Sequence, residues 1–133
     1  MNKLTVDVAV IGTGTAGLSA YRAARAQGKR TVVIESGPYG TTCARVGCMP
    51  SKLLIAASEA AHMVHAAAGF GVHAGQVRID GQQVMDRVRR ERDRFVGFVL
   101  ESVDNIPGQD KLRGHARFTG PHSLQVDEHT SVE

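Results

Sequence analysis

Cys43 and Cys48 are the only cysteines in the chain, and they enclose the tetrapeptide Ala-Arg-Val-Gly. If the second cysteine begins a helical turn, the two Cα atoms come within the ~4.4–6.8 Å that a disulfide bond requires. Pro50 favours a helix start at this point, because proline fits the first turn of a helix. The helix dipole and nearby Lys52 would then stabilise a thiolate at Cys48. The pair therefore predicts a reversible redox couple and not a structural bridge.

Two other interpretations of the cysteines remain open. A zinc site would need two more ligands, and the histidines that could supply them show no fitting spacing. These histidines are His62, His65, His73 and His115. The two thiols could instead be free and unrelated. The flanking residues favour the redox pair, so we expect no metal site.

The residues that precede the cysteines predict a β-α-β unit. Residues 5–11 form a short apolar, β-branched run, which indicates a strand buried on both faces. Residues 15–27 are rich in alanine and predict a helix that Gly28 ends. Residues 31–35 predict a second buried strand, parallel to the first and joined to it by a right-handed crossover. We therefore expect an α/β protein.

A GxGxxG pattern lies between the first strand and the first helix, where a dinucleotide-binding fingerprint requires it. Gly12 permits the tight turn, Gly14 lets a pyrophosphate approach the backbone, and Gly17 lets the helix pack closely on the strand. Thr15 and Ala16 begin the helix, whose free N–H groups and partial positive charge attract phosphate. The pattern predicts a bound dinucleotide.

Glu35 ends the second strand at about the ~20-residue spacing at which an acid accepts hydrogen bonds from ribose hydroxyls. A carboxylate in that place disfavours a 2′-phosphate. Together with the glycines it predicts an adenine dinucleotide, FAD or NAD. The alternative is a glycine-rich turn in an unrelated α/β protein.

The remaining elements are predicted from periodicity and turn residues. After a glycine-rich loop, residues 50–68 predict a second helix, and apolar residues spaced about 3.6 apart predict a third over residues 82–103. Residues 111–118 and 124–126 indicate short strands, and a further strand is expected to begin where the sequence ends. Only two core strands are clear, so we expect an incomplete sheet in a truncated chain.

The composition excludes several classes of protein. Hydrophobic residues make up 42% and charged residues 22%, as in globular proteins. The formal charge of +3 is spread along the chain, and the arginine-rich residues 86–94 also contain acids, so we expect a solvated helix face with i,i+4 pairs and no nucleic-acid partner. No apolar run approaches the ~18–20 residues of a membrane span, and Asp7 comes too early for a secretory signal. We expect a cytoplasmic protein without a membrane partner.

The glycine pattern, Glu35 and the segment GTTCARVGCMPSK together resemble the N-terminal part of the flavoprotein disulfide reductases. Within that family the residues are most similar to the dihydrolipoamide dehydrogenases, with mercuric reductases and other disulfide reductases as alternatives. The resemblance implies a Rossmann-like FAD/NAD(P)-binding fold of three layers, with an incomplete central parallel sheet and a small antiparallel segment near the C-terminus. It also implies that residues 1–133 are the first part of an FAD-binding domain, without the NAD-binding and interface domains.

The same resemblance implies a role for each site residue. Cys48 would be the thiol beside the flavin, with which it forms a charge-transfer pair, and Cys43 the interchange thiol that the substrate attacks. Lys52 would lie near the flavin, and the backbone at Ala116 would contact the adenine. FAD would be bound tightly but not covalently, and the residues expected to contact it are Gly12, Gly14, Thr15, Ala16, Gly17, Glu35, Ser36, Gly37, Gly40, Thr41, Thr42, Cys43, Cys48, Lys52 and Ala116.

The implied reaction oxidises dihydrolipoamide, free or on a lipoyl domain, and reduces NAD⁺ bound by a domain outside this chain. The complete enzyme would be a homodimer whose second subunit supplies a histidine as acid–base partner. Residues 1–133 alone are expected to show no turnover and weak or absent retention of flavin. The alternative is that these residues are only a nucleotide-binding scaffold with an inactive thiol pair.

Two positions depart from the pattern of the family. Thr41 stands where its members usually have a second glycine, and Arg45 where they usually have asparagine. Arg45 places a cation between the two cysteines. It is expected to favour a thiolate at one of them or to alter which disulfide is accepted.

Overall fold

The computed structural model describes residues 2–133 and divides them into two compact units. The first unit contains the residues up to Thr41 and Phe98–Glu133, and the second contains Thr42–Gly97. Seven strands belong to the first unit: β1 Asn2–Leu4, β2 Val8–Ile11, β3 Thr31–Glu35, β4 Lys111–Arg113, β5 Ala116–Gly120, β6 Ser123–Val126 and β7 Thr130–Val132. The helices are α1 Thr15–Ala26, α2 Thr42–Val46, α3 Cys48–Ala66 and α4 Gly81–Asp104.

The first sheet is parallel, in the order β2-β3-β4. Because its strands run the same way, the carboxyl ends of β2, β3 and β4 lie at one edge, where Glu35 pairs in register with Arg113. The predicted parallel β-α-β unit is confirmed, and Gly28 follows α1 with a left-handed φ of 73°. The third strand, β4, lies within the strand predicted over residues 111–118, but its place in this sheet was not predicted.

The second sheet has the order β1-β7-β6-β5. β5, β6 and β7 are antiparallel to one another, whereas β1 pairs with β7 in parallel. The antiparallel segment and the last strand are confirmed. The prediction of one strand over residues 111–118 is wrong, because Gly114 has a φ of 147° and turns the chain out of the first sheet and into the second.

The core lies on both faces of β3. Val33 packs on one face in a cluster with residues of α1 and with the chain around the end of α4, namely Val10, Leu18, Tyr21, Val103 and Ile106. Val32 and Ile34 pack on the other face against residues of the second sheet, namely Leu124, Val126 and Val132. Each such side chain stabilises the fold by roughly 1.5–3 kcal/mol. The layers are thus helix, parallel sheet and second sheet, which confirms the Rossmann-like α/β fold.

The prediction of a strand over residues 5–11, buried on both faces, is wrong in part. The observed strand is shorter and more exposed than predicted. β2 begins at Val8 and lies at the edge of its sheet, and Ile11 is 52% exposed. The residues before Val8 lie outside the strand, with a bend at Asp7, whose carboxylate accepts hydrogen bonds from the backbone and side chain of Arg30. A continuous apolar run therefore does not correspond here to one strand buried on both faces.

The second unit is helical. The predicted glycine-rich loop before the second helix is wrong in part, since α2 occupies Thr42–Val46, and α3 begins at Cys48, ahead of the predicted residue 50. Pro50 remains in the first turn, and after a 3₁₀ turn over Ala67–Phe70 the helical stretch ends at Gly71. The third predicted helix is confirmed as α4.

On the charged face of α4, two ion pairs join residues that are three apart in sequence, whereas the prediction was pairs of residues four apart. The guanidinium of Arg89 lies 3.3 Å from the carboxylate of Asp86, and that of Arg94 lies 3.1 Å from Glu91. Three of these side chains are exposed and Glu91 is half-buried, so each pair contributes only a few tenths of a kcal/mol.

Among the described residues, one helical stretch, Thr42–Phe70, is long and apolar enough to cross a membrane, with a mean hydropathy of 1.2 over 18 residues. The prediction counted unbroken apolar runs and overlooked this alanine-rich stretch. A single such helix is weak evidence for a membrane span, because helices of water-soluble proteins meet the same criterion.

A buried hydrogen bond ties α1 to the turn before β4. The hydroxyl of Tyr21 donates to the carboxylate of Asp110 at 2.7 Å, and Arg25 lies 3.7 Å from the same carboxylate oxygen. Burial, followed by the hydrogen bond to Asp110, raises the pKa of Tyr21 to about 12. The folded protein thus resists ionisation of this phenol.

We predict that Tyr21→Phe lowers the free energy of unfolding by about 1–3 kcal/mol, because a buried carboxylate loses its donor. The difference from wild type should shrink as pH rises from about 10 towards 12, where the unfolded chain ionises Tyr21 before the folded chain does. Urea denaturation at several pH values measures both effects. Tyr39→Phe removes the same atom from the other tyrosine and should change stability little; equal effects of the two substitutions would contradict the prediction.

Candidate functional site

The glycine turn between β2 and α1 has the geometry that the fingerprint requires. Gly12 adopts a φ of 98°, which side chains disfavour. A Cβ on Gly17 would lie 1.9 Å from the carbonyl oxygen of Gly12, so only glycine permits this approach of helix to turn. A Cβ on Gly14 would meet no atom within 4 Å. Gly14 is therefore not needed for packing inside the chain, and the space beside it is open to a ligand.

The N-terminus of α1 faces this turn without a side-chain cap. Gly14 is the N-cap residue, it makes no capping hydrogen bond, and the first turn contains no acid. The first helical hydrogen bond runs from the N–H of Leu18 to the carbonyl of Gly14. No side chain caps the N–H groups of Thr15 and Ala16 or offsets the positive end of the helix dipole, which is the arrangement that binds phosphate.

The carboxylate of Glu35 joins two loops at the carboxyl edge of the first sheet. One oxygen accepts hydrogen bonds from the N–H and the hydroxyl of Thr13, each at 2.8 Å, and the other accepts one from the N–H of Gly37 at 2.8 Å. Burial opposes ionisation, but these hydrogen bonds and the charge of Arg113 outweigh it, so the pKa of Glu35 is lowered. Glu35 is held as an acceptor whose remaining lone pairs can accept bonds from hydroxyl groups.

Two residues of this site were missed by the sequence analysis. Thr13 is 2% exposed and binds Glu35 through both backbone and side chain, although it occupies a variable position of the glycine pattern. Arg113 donates to the carbonyl of Gly37 and lies over the ring of Tyr39 at 4.7 Å. Thr13 could have been found in the sequence as a hydroxyl residue inside the glycine turn. Arg113 could not, because only strand pairing brings it to Glu35.

The other residues of the first unit that were predicted to contact the dinucleotide lie in the loop after β3 or at the start of β5. Ser36 is exposed, whereas Gly40 is buried and has a φ of 108°. Ala116 begins β5, and the segment before it is tied to β3 by a hydrogen bond from the N–H of Gly114 to the carbonyl of Glu35. The structure therefore brings these segments to the end of β3, and their contacts with a nucleotide stay predictions.

Thr41 has a φ of 58°, which is unusual for a β-branched residue. The residue at the position where the family usually has glycine thus adopts the left-handed conformation that glycine adopts easily.

The two cysteines lie in the second unit, at adjoining ends of two helices. Cys43 is the second residue of α2, and Cys48 is the first residue of α3. Both are free thiols; Cys43 is half-buried and Cys48 is exposed. Between the helices, a Cβ on Gly47 would lie 3.1 Å from the carbonyl oxygen of Thr42, so glycine permits the tight connection.

The side chain of Cys48 affects the ionisation of Cys43. A hydrogen bond with the side chain of Cys48, together with desolvation and the charge of Cys48, raises the pKa of Cys43. The charge of Lys52 acts in the opposite direction but does not overcome these effects. The structure therefore brings together three of the predicted residues, Cys43, Cys48 and Lys52, and the pKa of Cys43 lies above that of an ordinary thiol.

Arg45 lies two residues after Cys43 on α2, a spacing at which helical side chains do not face each other. Lys52, and not Arg45, is the cation among the groups that affect the pKa of Cys43. Within residues 2–133, no group of three His, Cys, Asp or Glu side chains is placed to hold a metal ion.

A strand, a glycine turn, a helix and an acid at the end of the next strand define a Rossmann-like dinucleotide-binding domain, which this chain combines with a thiol pair. The model of the pyridine nucleotide-disulphide oxidoreductase family matches residues 6–130. Since this is nearly the whole chain, the protein belongs to that family.

Known proteins that are similar in sequence to this chain are named for several different oxidoreductase activities. The dihydrolipoyl dehydrogenase of Thermus scotoductus is 33% identical over 129 residues, which cover 95% of this chain and 27% of the relative. The mercuric reductase of Streptomyces lividans is 45% identical over 75 residues, or 56% of this chain and 16% of the relative. The chain thus spans about a quarter or less of these relatives.

A solved structure supports the fold. The Cu(II) complex of the HOCl-induced flavoprotein disulfide reductase RclA from Escherichia coli aligns with a TM-score of 0.68 and 23% identity. The alignment covers 92% of this chain and 25% of that one.

The contrast between Gly14 and Gly17 separates folding from ligand binding. We predict that Gly17→Ala lowers the free energy of unfolding by about 2–4 kcal/mol, because the new Cβ collides with backbone. Gly14→Ala should cost at most about 1 kcal/mol, since its backbone angles and surroundings accept a methyl group. Chemical denaturation measures both, and comparable losses would contradict the prediction.

The left-handed conformation of Thr41 predicts that Thr41→Gly raises the free energy of unfolding by about 1 kcal/mol, because it removes the steric cost of a side chain at positive φ. Thr42→Gly is the matched control: Thr42 lies in α2, where glycine should lower stability by about 0.5–1 kcal/mol. The two variants are compared by thermal unfolding. A loss of stability in Thr41→Gly would show that the side chain contributes more than the conformation costs.

Proposed function

We propose that residues 1–133 are the N-terminal part of an FAD-binding domain in an FAD-dependent dithiol/disulfide oxidoreductase. The observation that carries this proposal is the thiol pair, Cys43 and Cys48, hydrogen-bonded across the junction of α2 and α3. Family membership supports it, because the matched family is defined by pyridine nucleotide and disulfide chemistry. The rest of the domain, an NAD-binding domain and an interface domain would be supplied by residues outside this range.

The residues of the first unit fit the adenosine diphosphate half of FAD. The open space beside Gly14 and the uncapped start of α1 suit a pyrophosphate. Glu35 is held ionised and keeps free lone pairs for ribose hydroxyls. We propose that Gly12, Gly14 and Gly17 shape this cradle, and that FAD is bound tightly without a covalent bond.

The thiol pair would act by disulfide exchange. In the oxidised enzyme, a substrate thiolate attacks the Sγ of Cys43, breaks the Cys43–Cys48 bond and releases Cys48 as a thiolate. The second substrate thiolate attacks the substrate sulfur of the mixed disulfide and releases Cys43. The substrate loses two electrons and closes its own disulfide, while the cysteine pair gains two electrons.

When bound, FAD would carry these electrons onward as a hydride to NAD⁺. Lys52 would support a thiolate in the pair, because its charge favours ionisation at Cys43. The raised pKa of Cys43 means that this thiol needs a base before it can attack a disulfide in the reverse reaction. We propose that a residue of a second subunit supplies that base in a homodimer.

The first candidate substrate is dihydrolipoamide, free or on a lipoyl domain, because a dihydrolipoyl dehydrogenase is among the relatives that align along nearly the whole chain. A glutathione reductase aligns along as much of the chain, so another disulfide substrate is the alternative. The second candidate function is mercuric reduction, which the higher identity of 45% over a shorter stretch favours. We propose NAD as co-substrate and a cytoplasmic location for either enzyme.

The test uses the full-length protein with Cys43→Ser and Cys48→Ser. Both variants should lose thiol-dependent reduction of NAD⁺ by about a thousandfold or more, because the two sulfurs act as a unit. On two-electron reduction, the long-wavelength absorbance of a thiolate beside oxidised flavin should be absent only in Cys48→Ser. Ser58→Ala, an exposed position of α3, is the control and should keep full activity.

Normal turnover in Cys48→Ser would contradict the proposed function. The alternative, a nucleotide-binding scaffold with inactive thiols, predicts that the full-length protein binds FAD but that neither cysteine variant differs from wild type. Comparing lipoamide with Hg²⁺ as the electron acceptor, with NADH or NADPH as donor, separates the two candidate substrates.

A further inference from the structure

Arg113 ends β4 and holds the loop that follows β3. Its guanidinium donates a hydrogen bond to the carbonyl of Gly37 and lies over the ring of Tyr39, 4.7 Å from the ring centroid. Tyr39 in turn packs against the core cluster that contains Leu18 and Val33. The guanidinium therefore connects the loop to β4 at two points, one of which is anchored in the core.

This loop is in direct contact with the carboxylate of Glu35. The N–H of Gly37 donates to one carboxylate oxygen, while Thr13 donates to the other. The backbone of β4 adds a second constraint, because Glu35 pairs with Arg113 and its carbonyl accepts a bond from the N–H of Gly114. The orientation of the carboxylate thus depends on where Gly37 is held, and Arg113 holds Gly37.

We propose that Arg113 is a positioning residue for the ribose of the bound dinucleotide: by fixing the loop at Gly37 it sets the direction in which the free lone pairs of Glu35 point. The inference rests on the proposed function, since it needs an adenosine ribose at Glu35. Arg113 suits this role better than lysine would, because a planar guanidinium can stack on a ring and donate in its own plane at once.

The test compares FAD with an analogue that carries 2′-deoxyribose in its adenosine half, each titrated into the full-length apoprotein. Wild type should bind FAD about tenfold or more tightly than the analogue, because a hydroxyl bonded to a carboxylate is lost. In Arg113→Ala the Kd for FAD should rise about five- to twentyfold, while the Kd for the analogue changes about twofold or less. The preference for the 2′-hydroxyl should therefore shrink to about twofold.

Arg113→Lys should resemble Arg113→Ala, because it keeps the charge but not the stacked fork. Full rescue by lysine would mean that charge alone acts on Glu35, and it would overturn the loop-positioning role. Arg22→Ala removes an exposed arginine from α1 in the same unit and should change neither Kd.

The remaining outcomes are also distinct. If the Kd values for FAD and the analogue rise by the same factor in Arg113→Ala, Arg113 acts only on the stability of the fold, and the positioning role is wrong. If wild-type protein binds neither dinucleotide, the proposed function fails and the inference fails with it. Thermal unfolding of each apoprotein shows whether Arg113→Ala folds. If it does not, the Kd values of wild type and Arg113→Lys for FAD and the analogue test the positioning role instead.

Discussion

The carboxylate of Glu35 is the constraint on which the nucleotide end of the molecule depends. It accepts three hydrogen bonds, two from Thr13 and one from Gly37, and so fixes the glycine turn against the loop after β3. Its pKa is lowered from the ordinary 4.5. The stability that it contributes is therefore present above that value and is lost as pH falls through the lower pKa of the folded state. One ionised side chain thus stabilises the loops and remains available to a ligand.

The layers around β3 explain why this carboxylate can be held so firmly. Val33 faces the helices while Val32 and Ile34 face the second sheet, so the strand is packed on both sides up to the residue before Glu35. On one side, the contact between Gly17 and Gly12 brings α1 close enough for its uncapped N-terminus to lie beside the turn. A rigid strand and a close helix place a negative and a positive group at one edge of the sheet, as recognition of a sugar and a phosphate requires.

Local sequence predicted the parts of this arrangement whose causes are local. A β-branched apolar run predicted β3, and an alanine-rich segment predicted α1. The glycine spacing predicted the turn between β2 and α1, and Glu35 was predicted as the acid at the end of β3. The parts that it could not predict depend on distant residues: β1 is a strand because it pairs with β7, and residues 111–118 divide because Gly114 changes direction. Arg113 was missed for the same reason, because strand pairing brings it to Glu35. Thr13 has a local signal, the hydroxyl inside the glycine turn, but its partner Glu35 is reached only on folding.

The thiol pair shows how a short spacing becomes a functional asymmetry. Gly47 allows α2 to end and α3 to begin within one residue, and a side chain there would press on the carbonyl of Thr42. The tight junction sets Cys43 and Cys48 in hydrogen-bond contact, where a second negative charge is disfavoured and the pKa of Cys43 is raised. The half-buried thiol of Cys43 therefore holds its proton more firmly than an ordinary thiol does, while Cys48 is exposed at the start of α3. The different roles proposed for the two sulfurs in disulfide exchange rest on this raised pKa of Cys43.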